Sequence, residues 1–380
     1  MHKGMVYLAP LVAMALPAVA GAHESDKWEI GVVLDAAHTS KKLELGARGK
    51  GLELGHSDLV IRGPLGSAFT AEYSLAAHTD EGKLEHHTEN LWIQTRTLPA
   101  GLQAKLGRFS SQIGYLNEQH PHADDFTERP LLYRGFLGGH WYDDGLRLNW
   151  TAPTPFYLRF GVEAFSGKQL IKEAETKKSP GAQTFSMKTG GDLNASSSWQ
   201  FGVSYLNNRR QAEVHEHDED DHDHDHDHAH GAEFSGKHMW MTDLVYKWAP
   251  NGDSKNQQVR LIWEHARVSG IHPESGSLRH SGTSLAAVYR FHPSWEVGAR
   301  TDWLKVNKPE LHDEVEFGSG RLRENALMIA YKPNHMQTYR LQWSRQTATG
   351  GDEPVFTSPV KNSIQFQVVI GFGAHGAHSY

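Results

Sequence analysis

Apolar and polar residues alternate along most of this chain, in segments of about ten residues. In one such segment Phe156, Leu158, Phe160 and Val162 alternate with neighbours that are smaller or more polar. A period of two is typical of β-strands, and about ten residues is the length of a tilted strand that crosses a membrane. The pattern therefore predicts strands with one face toward lipid and one face toward a polar interior.

Sixteen such segments can be placed, and an even number is what a bacterial outer-membrane barrel requires. The predicted fold class is all-β, a transmembrane up-and-down antiparallel β-barrel of about 16 strands, which is wide enough to enclose an aqueous channel. The predicted strands are 28–36, 52–62, 68–78, 87–97, 102–109, 144–151, 156–165, 184–191, 198–207, 238–249, 257–267, 281–291, 295–305, 322–332, 338–347 and 363–380.

Short and long connections follow one another between these strands. Turns such as 152–155 alternate with longer polar connections such as 79–86, 110–143 and 306–321. Short periplasmic turns and long extracellular loops give an outer-membrane barrel this rhythm, and aromatic residues cluster next to the short turns as an interfacial girdle would. The last predicted strand ends on the aromatic Tyr380, which is typical of outer-membrane barrels.

The first 22 residues have the features of an export signal. Lys3 precedes a mostly apolar stretch over 6–19, and the small residues at 20–22 suit cleavage, so the mature barrel is expected to begin near His23 and to occupy 23–380. The chain contains no cysteine, which excludes disulfides and thiolate zinc sites.

A run of histidine and carboxylate residues occupies 215–230, HEHDEDDHDHDHDHAH, within the fifth long loop at about 208–237, which is predicted to be disordered. The run carries a charge of −8 while the whole chain carries −7, so the rest has no basic surplus that would suggest nucleic acid. Imidazole and carboxylate groups together suit Zn²⁺ or a similar divalent cation. The predicted ligands are His215, His217, His222, Asp223, His224, Asp225, His226, Asp227, His228 and His230.

A second candidate metal site lies in the third long loop, at His120, His122, Asp124 and Asp125. In porins this loop folds into the barrel and narrows it. By that analogy these residues would form an inner cation site at the constriction. The alternative is that their polar groups hold the fold of the loop itself.

Several segments resemble a family of proteobacterial outer-membrane proteins. They are 107–126 (GRFSSQIGYLNEQHPHADDF), 130–134 (PLLYR), 143–145 (DDG) and 375–378 (HGAH). That family is described as zinc-regulated, is often labelled TonB-dependent receptor, and is distantly similar to phosphate-selective porins. The resemblance implies passage of zinc, or of a zinc-bearing ligand, into the periplasm.

These observations predict a passive channel and no enzyme. TonB-dependent receptors pair a barrel of about 22 strands with a plug, and few residues precede the first predicted strand. The GFGAHG sequence at 371–376 matches a dinucleotide-binding pattern but is not followed by a helix, and no catalytic constellation is present. No cofactor is required, and Zn²⁺ is the expected ligand or substrate. The expected partners are outer-membrane lipid, the barrel assembly machinery and divalent metal ions, without nucleic acid, and the barrel could form a homotrimer.

Two other functions remain open. One is a phosphate-type or general diffusion porin with incidental metal binding, in which Arg108, Arg134, Arg147 and Arg159 would line the lumen. The other is an exported protein that binds and buffers metal without transporting it.

Overall fold

A computed structural model describes residues 27–80, 82–172, 174, 178–212, 231–311, 314–350, 355–356 and 360–373. The export signal, the run at 215–230 and residues 374–380 lie outside this part of the chain. Within it, the structure has one α-helix, α1 (Leu131–Leu137), and a single antiparallel sheet. The strands are β1 (Glu29–Thr39), β2 (Gly51–Leu54), β3 (Ser57–Leu65), β4 (Phe69–Asp80), β5 (Lys83–Thr95), β6 (Leu102–Ser110), β7 (Tyr142–Thr151), β8 (Tyr157–Phe165), β9 (Ala182–Asn194), β10 (Ser197–Asn208), β11 (His238–Trp248), β12 (Gln258–Ser269), β13 (Arg279–His292), β14 (Trp295–Leu311), β15 (Val315–Asn334), β16 (Gln337–Gly350) and β17 (Val360–Gly373).

The sheet closes into a barrel with sixteen strand positions. Each strand pairs with its neighbours in sequence, and β1 pairs with β17 to complete the ring. Both β2 and β3 pair with β1, separated by Gly55 and His56, so they are one barrel strand with an interruption. The predicted sixteen-stranded antiparallel barrel is confirmed. Among the described residues, no helix is long and apolar enough to cross a membrane.

The two faces of the barrel wall are inverted relative to a soluble β-protein. On β17, Ile364 is 56% exposed and Phe366 is 47% exposed, whereas Ser363 and Gln365, which alternate with them, are buried. Apolar side chains on the outside and polar side chains inside are favourable only when lipid surrounds the barrel. The burial pattern thus agrees with the predicted outer-membrane placement.

Two predicted long connections are wrong. Pairing between β14 and β15 continues to Leu311 and Val315, which removes most of the predicted loop at 306–321. Likewise β4 and β5 pair as far as Asp80 and Lys83, inside the predicted loop at 79–86. These extensions contain many polar residues on both faces, so the apolar–polar alternation that marks a membrane strand fades although the hydrogen-bond ladder persists.

The connection between β6 and β7, residues 111–141, folds into the barrel and is called the lumen loop below. All seven residues of α1 are buried, and the helix packs against β13 and β14 on the far wall. Gly282 of β13 permits this contact, because a Cβ atom at that position would lie 2.7 Å from Leu132 Cβ. The expectation of a polar, aqueous lumen is therefore met only in part, since apolar residues of the loop fill some of it.

Hydrogen bonds and ion pairs also tie the lumen loop to strands far along the chain. The Thr127 amide donates to Gln342 Oε1 at 2.9 Å, and Arg134 Nη2 donates to Glu324 Oε2 at 2.6 Å. Because these groups are buried, losing a partner would leave an unpaired polar group in a dry site. The loop is consequently a fixed internal partition.

Replacing Gly282 with valine should push α1 off the wall and widen the lumen. We expect a higher single-channel conductance in planar bilayers, because the added Cβ would lie 2.7 Å from Leu132 Cβ and one of the two segments must move. The matched control is Gly191→Val on β9, where a Cβ atom meets no other atom within 4 Å. Wild-type conductance in a folded Gly282→Val barrel would contradict this packing.

Candidate metal site in the lumen

Four histidines and two carboxylates converge where the lumen loop meets the wall formed by β3, β4 and β5. Asp58 and Glu89 come from the wall, and their side chains are fully buried. The lumen loop contributes three of the imidazoles. Together these six residues are called the histidine–carboxylate cluster, and they are His56, Asp58, Glu89, His120, His122 and His140.

Irregular backbone places the two acidic groups and one histidine on the wall. His56 lies in the interruption between β2 and β3, and Asp58 follows it with its side chain inside. On β5, the pairing register shifts so that Thr88 and Asn90 face β4 partners while Glu89 has none. This is a β-bulge, a feature that commonly redirects a side chain next to a functional site.

Short turns place the remaining histidines. A 3₁₀ turn at Pro121–Ala123 carries His122 and has His120 at its start. His140 follows the left-handed Gly138 that ends α1. Ser110 Oγ lies 2.9 Å from His140 Nε2, which leaves Nδ1 of that ring toward Glu89. A hydrogen bond to the second ring nitrogen is how proteins orient a metal-binding imidazole.

The nitrogen and oxygen atoms of the cluster lie close together. His120 Nδ1 is 3.2 Å from Asp58 Oδ2 and 3.0 Å from Glu89 Oε2. His56 Nε2 is 3.2 Å from Asp58 Oδ1 and from Glu89 Oε2. One ligand atom from each of these four residues can be chosen so that all four lie within 4.8 Å of one another.

This donor set fits a divalent cation such as zinc. Tetrahedral zinc with ligands at about 2.0–2.2 Å places neighbouring ligand atoms about 3.4 Å apart, close to the separations observed. Although they are buried, both oxygens of Asp58 and the Nδ1 atoms of His120 and His140 make no hydrogen bond of acceptable geometry within the described chain. Buried polar atoms rarely go unsatisfied, and a bound cation would use these lone pairs. We infer that His56, Asp58, Glu89 and His120 can hold the cation, with His122 and His140 beside them.

The protonation of the loop histidines also suits metal binding. Burial lowers the pKa of His140 to about 4 and lowers that of His122, so both imidazoles are neutral near pH 7. Burial opposes a charge on His120 as well, but Asp58 and Glu89 outweigh it and raise its pKa well above the ordinary value. A proton on His120 thus offsets the carboxylates when no metal is bound, and a metal ion would displace it.

The predicted second site is brought together only in part. His120 and His122 belong to the histidine–carboxylate cluster. Asp124 instead pairs with Arg129 at 2.7 Å, and Asp125 pairs with Arg260. These two carboxylates are absent from the cluster because guanidinium groups already neutralise them.

Four residues of the cluster were missed by the sequence reasoning. The His-x-Asp spacing at 56 and 58, within the predicted strand 52–62, was a usable signal. Glu89 has no comparable signal in the sequence, because only the bulge in β5 turns its side chain inward. His140 lies 18 positions after His122 and 20 after His120 in sequence and meets them only through the fold.

A cavity of about 660 Å³ adjoins the cluster on the side of the long connections. His56, Glu89 and His140 line it, as do Gly231 and Glu233, which follow the histidine-rich run in sequence. The run at 215–230 lies outside the described residues, so its predicted metal ligands remain predictions. The described chain nevertheless brings the end of that loop to the cavity that contains the cluster.

On another side of the lumen loop, Glu118 faces a basic wall. Its carboxylate lies 2.9 Å from Arg147, 3.4 Å from Arg159 and 3.7 Å from Lys188. Burial works against the charged form of Glu118, but these cations outweigh it and hold its pKa well below the usual range. Glu118 therefore carries its negative charge throughout the neutral pH range.

The four arginines predicted for an anion-selective lumen divide between the two faces. Arg134, Arg147 and Arg159 lie inside and are paired with carboxylates. The prediction that Arg108 lines the lumen is wrong, because strand alternation turns its side chain outward, where it pairs with the exposed Asp144 at 2.8 Å.

Comparisons with known proteins identify the fold. No protein-family model matches the chain. A protein of Aquifex aeolicus (strain VF5), described as uncharacterized, is 26% identical over 348 residues, which are 87% of this chain and 70% of that protein. The anion-selective porin from Comamonas acidovorans superposes with a TM-score of 0.55 at 11% identity, covering 92% of this chain and 99% of the porin.

Two further solved structures agree with this result. The outer-membrane channel DcaP of Acinetobacter baumannii has a TM-score of 0.53 at 10% identity, covering 91% of this chain and 96% of DcaP. A loop L8 deletion mutant of OmpT, an outer-membrane protein of Vibrio cholerae, has a TM-score of 0.55 at 9% identity and covers 91% of this chain and 98% of OmpT. The chain accordingly has the β-barrel fold of bacterial outer-membrane porins.

Neutralising Glu118 should shift ion selectivity toward anions. Glu118→Gln keeps the size of the side chain but leaves Arg147, Arg159 and Lys188 with one negative charge fewer, so we expect the reversal potential in a KCl gradient to move toward the anion value. Asp144→Asn is the matched control, since it removes the same charge from the outer face. Equal shifts in the two variants would show that the lumen loop does not control selectivity.

Proposed function

We propose that this protein is an outer-membrane channel for uptake of Zn²⁺ or a similar divalent cation, without enzymatic activity. The observation that carries the proposal is the set of four nitrogen and oxygen donors within 4.8 Å, inside a barrel and beside a cavity. Imidazole with carboxylate favours zinc over Mg²⁺ and Ca²⁺, which prefer oxygen ligands alone.

The partners of the buried carboxylates support this choice. Elsewhere in the lumen, Glu163 pairs with Arg147 and Glu324 pairs with Arg134 and Arg300. A guanidinium group keeps its proton at all physiological pH values, so such pairs are permanent. In the cluster, Asp58 and Glu89 face imidazoles instead, which can exchange a proton for a metal ion. The cluster is therefore suited to reversible occupation.

The histidine-rich run would concentrate cations at the mouth of the channel. Ala212, just before it, forms a β-bridge with Ala174, and the Ala232 amide, just after it, donates to the Leu170 carbonyl at 2.9 Å. Both contacts attach the two ends of the loop near the cavity. Clustered negative charge raises the local concentration of counter-ions, and modest affinity there would let ions leave toward the lumen.

Two features bear on the alternatives and on partners. The basic wall around Glu118 favours an anion-selective or general diffusion porin, and the Comamonas acidovorans neighbour is described as anion-selective. A metal-buffering protein without transport would have no use for a lumen site.

One OmpT structure from Vibrio cholerae is described as a trimer, so we propose a homotrimer in the outer membrane, inserted by the barrel assembly machinery.

Removing the two carboxylates of the cluster should abolish tight zinc binding. For Asp58→Asn with Glu89→Gln we expect the Kd to rise by about a hundredfold or more, because both anionic ligands are lost. Competition titration with a fluorescent chelator, on full-length barrels refolded in detergent, measures this. Asp125→Asn is the control, since it removes a carboxylate of the lumen loop that pairs with Arg260 and lies outside the cluster. Similar affinity in the double variant and the control would rule out the cluster as the site.

A growth experiment separates the cluster from the run. In a deletion strain under zinc limitation, we expect full-length protein to restore growth and the double variant not to do so. A version lacking 215–230 should restore growth at moderate zinc and lag at the lowest concentrations, because it loses only the concentrating effect. Equal rescue by all three versions would contradict the proposed transport.

A further inference from the structure

A file of aromatic rings continues from the cluster toward the extracellular ends of the strands. The ring centroid of His140 lies 5.9 Å from that of Tyr142, and Tyr142 stacks on His87 at 5.5 Å with an interplanar angle of 4°. His87 in turn lies 5.6 Å from His78. Two further imidazoles, His87 and then His78, thus lie beyond Tyr142 as seen from the cluster.

Strand geometry explains how these histidines come together. β4 and β5 run antiparallel, with His78 opposite Glu85 and Ala76 opposite His87. Cross-strand diagonal neighbours on one face are within reach of long side chains. His78 Nε2 also lies 3.7 Å from Glu85 Oε2, so a carboxylate accompanies the two rings.

The same cavity connects the two groups of residues. His78 and His87 line it together with His56, Glu89 and His140 of the cluster. β4 leads up to the connection at its end and β5 leads down from it, so this pair lies nearer the extracellular end than Glu89. A cation that enters from the long loops would pass these imidazoles before it reaches Asp58 and Glu89.

We propose that His78 and His87, with Glu85, form an upper station that takes a divalent cation on its way to the cluster. This proposal rests on the proposed function. Zinc sheds its water ligands in steps, and intermediate ligands let it exchange them gradually instead of crossing the cavity with water alone. The ligands again combine imidazole and carboxylate, so the station selects the same class of ion as the cluster.

A group on the path affects kinetics differently from a group in the site. Removing the upper station raises the free-energy barrier between solvent and the cluster, which the cation crosses when it binds and again when it leaves. The association and dissociation rates therefore fall by the same factor, and the Kd stays unchanged. A purely structural role would instead distort the cluster and change the Kd. The ratio of the two rates therefore distinguishes the two roles.

The experiment uses full-length barrels in detergent and Co²⁺, whose visible absorption reports binding to the cluster. Stopped-flow mixing gives the association rate, and displacement by excess chelator gives the dissociation rate. For His78→Asn with His87→Asn, we expect both rates to fall about fivefold or more, with a Kd within about twofold of wild type. His86→Asn is the matched control, because His86 lies between these strand positions, is exposed and points to the other face of β5.

The measured rates and Kd values distinguish the possible roles of His78 and His87. Unchanged rates in the double variant, or a fall equal to that of His86→Asn, would overturn the upper station while leaving the cluster intact. A weaker Kd with an unchanged association rate would assign His78 and His87 a structural role and also overturn it. Absence of Co²⁺ binding to the wild-type barrel would rule out the cluster as a metal site, and the upper station would fall with it.

Discussion

The hydrogen-bonding requirement of a backbone in lipid is the constraint on which this structure depends. No water is available in the hydrocarbon layer, so each strand must pair on both sides, and the β1–β17 ladder provides the last set of partners. Closure then divides the side chains into two populations. At the level of the hydrocarbon layer, charged groups are stable only inside, because the outer face meets lipid. The chemistry of the protein is therefore confined to the lumen.

Once the charged side chains lie inside, the partner of each carboxylate decides whether that carboxylate holds the structure together or can bind a cation. Arginines neutralise carboxylates such as Glu163 and Glu324 and hold the lumen loop against the wall. The histidine–carboxylate cluster departs from this rule, because Asp58 and Glu89 are opposed by imidazoles, which can give up a proton to a cation as guanidinium groups cannot. A site that can exchange protons for a cation is thus built within a frame of permanent ion pairs, which keeps its geometry while its occupancy changes.

The barrel was largely predictable and the site was not. Period-two alternation located every strand, because lipid on one side and polar groups on the other impose it at each position. It failed beyond the membrane, at the extended ladder of β14 and β15, where no apolar face is required. His120 and His122 were identified from their composition and spacing. Asp124 and Asp125 had the same appearance, but their arginine partners lie elsewhere in the fold and take them out of the cluster.

The amino-acid sequence by itself determined the closed barrel, the direction of its faces and the abundance of metal-binding side chains, since each follows from local periodicity or composition. Only the tertiary structure decided which of these side chains meet. The lumen loop had to cross the barrel to bring His120 to Asp58 and His140 to Glu89, and a bulge in β5 had to turn Glu89 inward. Such encounters depend on packing between segments far apart in the chain, such as Gly282 against Leu132, and local patterns do not encode them.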